Sequence, residues 1–116
     1  MLQSSVNLSA ERRQSGFFNQ HSLTPSIAYF NYKAILLDVR TVQEFYYSKI
    51  SGARHISYDM LPTLLDEIKK WDVPVITYST YGSRSKLAAA LLKRAKIPVV
   101  DGGAKVALEQ LLFQKK

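Results

Sequence analysis

The chain has 116 residues, 47% hydrophobic and 11% aromatic, which is enough for one domain with its own core and too little for two. Sixteen lysines and arginines against nine acids leave a formal charge of +7, which favours anionic partners. The charges form no block of like sign and no nucleic-acid motif accompanies them, so no specific nucleic-acid role is expected. The absence of cysteine excludes disulfides, thiolate metal sites and a cysteine nucleophile, and no apolar run approaches the ~20 residues of a membrane-spanning helix.

Residues 1–22 are polar and lack a sustained period, and they are read as an extension preceding a domain over residues 23–116. They contain no continuous apolar segment of the secretory kind, but their Arg, Ser and Gln beside a single acid, Glu11, leave a transit peptide open. A cytoplasmic location is otherwise the expectation.

Within the domain, Thr24 before Pro25 suits an N-cap with proline at the first helical position, which predicts a helix from Pro25 to about Asn31. "AILLDV", Ala34 to Val39, is an apolar run ending in a charge and fits a strand buried on both faces. Thr41 and Glu44 have capping-box spacing and open a short helix. After a turn at Gly52, "ARHIS" predicts a short strand. "YDMLPTLLDEIKKW" then carries a helical period through Leu61, Leu64, Leu65 and Ile68, with Pro62 in its first turn.

"VPVITYS", Val73 to Ser79, reads as another buried strand. The helix "SRSKLAAALLKRAK" follows and is expected to bury a face of Leu87, Ala90, Leu91 and Ala95. "IPVVDGG" predicts a last short buried strand and "AKVALEQLLF" a last helix. Strand and helix in alternation predict an α/β fold with a mainly parallel central sheet of about four or five strands flanked by helices.

Ligands of such sheets bind beyond the carboxyl ends of the strands. Polar residues arrive there from three segments: Asp38 with Arg40, Ser79 to Ser85, and Asp101 to Gly103. A strand ending at Ser79, a loop with Gly82 and a helix starting near Arg84 would turn several backbone N–H groups toward one point, where the helix end carries about half a positive charge. Arg84 would add a planar fork of donors. By itself this pattern also describes an ordinary strand-to-helix turn.

Four motifs in one order add to that pattern: "LLDVRTVQEF" (Leu36 to Phe45), "ISGARHIS" (Ile50 to Ser57), "YSTYGSRS" (Tyr78 to Ser85) and "DGG" (Asp101 to Gly103). Together they resemble the rhodanese family of single-domain thiosulfate sulfurtransferases over about Leu23 to Leu112. The resemblance implies a rhodanese-like fold, no cofactor, and an anion-binding loop of Ser79, Thr80, Tyr81, Gly82, Ser83, Arg84 and Ser85. Asp38 and Arg40 match the family's Asp-x-Arg, Glu44 and Phe45 its Glu-aromatic pair, Gly52 and Ala53 its Gly-Ala turn, and Gly102 and Gly103 its late glycine pair. Asp38, Arg40, Gly102 and Gly103 are expected to support the loop.

The six-residue length from Ser79 to Arg84 is similar to sulfur-handling members, while the related cell-cycle phosphatases use one residue more. The chemistry implied is transfer of sulfane sulfur from thiosulfate or a persulfide donor, through a cysteine persulfide, to cyanide or a thiol. Ser79 stands at that cysteine position. Lys49, Ser51 and Ala107 also depart from residues common in the family, where His, Pro and Trp are usual.

A thiol can be ionised near neutrality by a helix N-terminus and nearby cations; a serine hydroxyl is far less acidic and cannot hold a persulfide. The chain as written is therefore expected to be inactive in sulfur transfer. It reads either as a Cys→Ser variant of a sulfurtransferase or as a naturally non-catalytic module that binds a small sulfur oxyanion or a protein partner, and a different, phosphatase-like reaction is the remaining reading.

Other residues have simpler readings. His21 and His55 have no clustered acids around them, so no metal site is expected and His55 reads as packed or exposed. Tyr29, Phe30, Tyr32, Phe45, Tyr46 and Tyr47 are expected to be partly buried, whereas Tyr81 lies in the loop where it could shape entry. Lys86, Lys93, Arg94 and Lys96 are expected on a solvated helix side.

Overall fold

The computed structural model describes residues 23–114, so the expected extension, its transit-peptide reading and His21 lie outside the described residues. Thr24 Oγ1 accepts the Ile27 N–H at 3.2 Å and opens α1 (Pro25–Tyr32), which Lys33 closes in the left-handed region. The chain then enters β1 (Ile35–Asp38). Next come α2 (Val42–Tyr47), the two-residue β2 (Arg54–His55), a 3₁₀ segment (Tyr58–Leu64) and α3 (Leu65–Lys69). β3 (Val75–Ser79), α4 (Ser83–Arg94), β4 (Val99–Ala104) and α5 (Lys105–Phe113) complete it.

The four strands form one all-parallel sheet in the order β2-β1-β3-β4, the expected α/β architecture. β3 is central and all five of its residues are buried, as an apolar strand covered on both faces must be. Alternate residues point to opposite faces. Leu36, Ile76 and Tyr78 pack with Leu23, Ala28, Leu108 and Leu112 from the α1 and α5 side. Leu37, Val39, Val75 and Val99 pack with Leu61, Ile68, Ala88 and Leu92 on the other. All strands run the same way, so their carboxyl ends bring Asp38, Ser79 and Asp101 to one edge.

Four expectations are corrected. The last strand, β4, is not buried along its length: it lies at the sheet edge and Val99 is its one buried residue. The segment from Tyr58 is a 3₁₀ turn before it is an α-helix. Pro62 has no N–H to donate and is tolerated in this irregular stretch, where Met60 N bonds Ser57 O at 2.9 Å, while Leu61 and Ile68 still reach the core. In α4 the buried face is Ser85, Ala88 and Leu92; Leu87 and Ala90 are exposed. Hydrogen bonds to Ser85 fix the helix rotation, and a pattern counted only on apolar residues misses that anchor. Among the aromatics, Tyr46 and Tyr47 are exposed because α2 buries no residue, and Phe30 is exposed on α1, where Ala28 is the buried residue. Tyr29, Tyr32 and Phe45 are half-buried as expected.

Candidate functional site

Ser79 is the last residue of the central strand and is only 1% exposed. Its Oγ accepts the N–H groups of Gly82 and Ser85, each at 3.1 Å. The chain between them turns at Gly82, the N-cap of α4, whose φ of 102° is a conformation that glycine adopts without penalty. Lys86 N closes the first turn on Gly82 O at 3.0 Å. No backbone acceptor among the described residues takes the loop N–H groups of Tyr81, Ser83 or Arg84, as expected where a helix begins.

The loop is held from beneath by a short hydroxyl chain. Ser85 Oγ donates to Asp101 Oδ1 at 2.6 Å, and Thr77 Oγ1 lies 2.8 Å from Ser85 Oγ and donates to Ser85 O at 3.2 Å. Asp101 Oδ1 also accepts Gly103 N at 2.9 Å, which folds the end of β4 toward the loop. Gly102 permits this approach: a Cβ there would stand 2.6 Å from Thr77 O and 2.9 Å from Leu108 Cδ2. Gly102 is thus required by packing.

From the side, Glu44 ties α2 to the loop. Its carboxylate takes both arms of Arg84 at 2.8 and 3.0 Å and the Thr80 hydroxyl at 2.9 Å, while the capping box with Thr41 holds it in place. These bonds, Arg84 first, hold the Glu44 carboxyl far below the usual carboxylate range and raise the Arg84 guanidinium in return. The fork of Arg84 thus faces a carboxylate of its own chain, and the pair is about one-third exposed.

A second pair lies deeper. Asp38 is fully buried and accepts Arg40 Nε at 2.9 Å, Nη2 at 2.7 Å and the Arg40 backbone N–H at 3.0 Å. Arg40 Nη2 also donates to Ser48 O, and the Asp38 bond raises the guanidinium further. Beside it the Tyr78 hydroxyl accepts Ile50 N at 3.1 Å, and burial pushes this phenol well above its ordinary range. His55 Nε2 lies 2.7 Å from Arg40 O and the ring stacks on Phe45 at 4.8 Å, so the imidazole is packed. The two ion pairs cancel internally, and Asp101 meets no cation among the described residues.

The rhodanese-like domain profile matches residues 27–108. The chain belongs to the rhodanese-like domain family. A rhodanese-like domain protein from Staphylococcus aureus is 28% identical, with a TM-score of 0.54 over 60% of this chain and 70% of that one. Two solved structures share the fold at lower identity. A rhodanese-related protein from Thermoplasma volcanium is 24% identical with a TM-score of 0.57, covering 81% of this chain and 98% of its own. A Helicobacter pylori protein is 22% identical with a TM-score of 0.60, covering 76% and 81%. No curated protein matches the chain.

In this rhodanese-like domain the sequence-predicted residues gather at one sheet edge, yet they touch different things. Ser79 to Ser85 form the loop, and Asp38 and Arg40 brace the segment from Ser48 to His55 through Ser48 O and the Arg40 carbonyl. Tyr81 is 89% exposed on the loop. Lys86, Lys93, Arg94 and Lys96 are exposed as expected, and no cluster of metal-ligating side chains occurs among the described residues. Sequence reasoning missed Thr77 as a loop support and the Glu44 bonds to Thr80 and Arg84. Thr77 gave a usable signal, being a hydroxyl in an otherwise apolar strand.

Proposed function

We propose that this domain binds a small oxyanion in the Ser79–Ser85 loop and does not carry out sulfur transfer. The observation that carries the reading is Ser79 Oγ, which is buried and receives two loop N–H groups where a sulfur nucleophile would receive them. Such donors stabilise negative charge at that point, whether it is the protein's own or a ligand's. A hydroxyl offers neither a thiolate at neutral pH nor a sulfur atom to carry a persulfide. No general base touches it among the described residues: Asp101 is engaged by Ser85, Glu44 by Arg84, and His55 by the Arg40 carbonyl.

A thiosulfate:cyanide sulfurtransferase assay tests the chemistry. The parent is expected to give no turnover and Ser79→Cys to gain it, because the hydrogen-bond cradle is already built. Turnover by the parent would refute the reading. Binding is tested by heat: sulfate should raise the melting temperature of the parent, since a ligand that binds only the native state stabilises it. Absence of any shift would remove the oxyanion.

A second reading has its own observation. Tyr81 on the loop and Tyr46 and Tyr47 on the helix that Glu44 ties to it are all exposed, which suits a protein partner at this edge. A folded Ser79→Cys that stays inactive, together with a parent indifferent to sulfate, would favour it.

A further inference from the structure

We infer that Ser79 is itself a ligand-binding group: its hydroxyl proton is donated to the bound anion, and its neutrality keeps the cradle open to an external anion under conditions where a cysteine would fill it with its own charge. This rests on the oxyanion reading above and adds what the serine does within it.

A serine oxygen has one proton and two acceptor positions. Both acceptor positions of Ser79 Oγ are occupied, by Gly82 N and Ser85 N at 3.1 Å each. What remains is the proton, on a side chain 1% exposed, and no acceptor among the described residues takes it. The nearby oxygens have other duties. Asp101 Oδ1 serves Ser85 and Gly103, and both Glu44 oxygens serve Arg84, with Thr80 on one of them. A buried donor without an acceptor is costly, and the same loop carries the N–H groups of Tyr81, Ser83 and Arg84 without a backbone acceptor. The edge is therefore rich in donors, and a small anion with oxygen acceptors supplies what they lack.

Charge sets the contrast with cysteine. The flanking side chains contribute no net positive charge: Asp38 neutralises Arg40, Glu44 neutralises Arg84, and the exposed Lys86 is offset by the Asp101 carboxylate, which meets no cation among the described residues. The attraction for an anion comes from neutral N–H and O–H dipoles at the start of α4 and is modest. One resident negative charge at position 79, a few ångströms from the ligand, would outweigh it. A thiolate there repels the external anion, and a serine does not.

The experiment compares sulfate binding, read as thermal stabilisation and by titration calorimetry, in the parent and Ser79→Cys between pH 5.5 and 9. Glu44, Arg84, Tyr81, Asp101 and Lys86 at the loop, and Asp38, Arg40, Tyr78 and His55 in the segment behind it, are the same in both proteins, so their contribution cancels in the ratio. The two affinities should agree below the thiol pKa, and the variant's should fall roughly tenfold or more above it. By reciprocity, saturating sulfate should raise the variant's thiol pKa, read from the pH dependence of iodoacetamide alkylation, by about one unit. In the parent alone, the Gly82 and Ser85 amide resonances should move with the same sulfate dissociation constant as the stabilisation. Sulfate that stabilises the parent while leaving the thiol pKa and these resonances unmoved would overturn the inference and leave oxyanion binding standing elsewhere on the domain. Sulfate that stabilises neither protein would overturn both.

Discussion

Replacing Asp38 by Asn tests the deepest part of the site. Asp38 is fully buried and the Arg40 side chain is 5% exposed, so water cannot take over when the carboxylate charge is lost. The amide preserves the shape and can keep one acceptor oxygen, but it cannot accept Nε, Nη2 and the backbone N–H of Arg40 together with a compensating charge. At an effective dielectric constant near 20, two unit charges about 4 Å apart attract by ~4 kcal/mol. Leaving one member of a buried pair uncompensated costs about 3–5 kcal/mol, so ~3 kcal/mol is expected for this mild substitution. Urea unfolding at pH 7, followed by far-UV circular dichroism, would read the loss as a lower midpoint at unchanged slope. The paired variant Asp38→Leu with Arg40→Met should recover most of it, because both desolvated charges leave together. A loss under ~1 kcal/mol for Asp38→Asn, or a paired variant worse than the single one, would refute the assignment of Asp38 as the counter-charge of Arg40.

Three further outcomes follow from the same geometry. Tyr78→Phe removes the acceptor of Ile50 N in a buried setting and should cost about 1–3 kcal/mol in the same unfolding assay. Gly102→Ala drives a Cβ to within 2.6 Å of Thr77 O, beneath the loop. Overpacking there should cost about 1–3 kcal/mol and weaken sulfate stabilisation as well. Glu44→Gln should flatten the acid side of the stability profile. The native Glu44 carboxyl is held below its unfolded value near 4.3, so its contribution is complete above that pH and is lost as pH falls toward the depressed native value. Urea midpoints measured from pH 6 to 2.5 should fall less steeply in the variant than in the parent.

Much of this protein was fixed locally. Apolar runs ending at Asp38 and Ser79 determine the strands, because only a strand covered on both faces tolerates such continuity. Thr24 with Pro25, and Thr41 with Glu44, determine two helix starts, because their capping bonds span three residues. The same local spacing placed Ser79, Gly82 and Arg84 at a strand-to-helix turn, with a hydroxyl at position 79. What the tertiary structure decided is which groups those residues meet. Glu44 reaches Arg84 across forty positions and Ser85 reaches Asp101 across sixteen, partners that no local period encodes. Glu44 therefore serves both as a helix cap and as the counter-ion of the loop arginine. Long-range hydrogen bonds to Ser85 also rotated α4 away from its most apolar face. Hydrophobic periodicity registers area removed from water, whereas the direction of a buried hydroxyl or carboxylate depends on donors that only the folded sheet edge brings together.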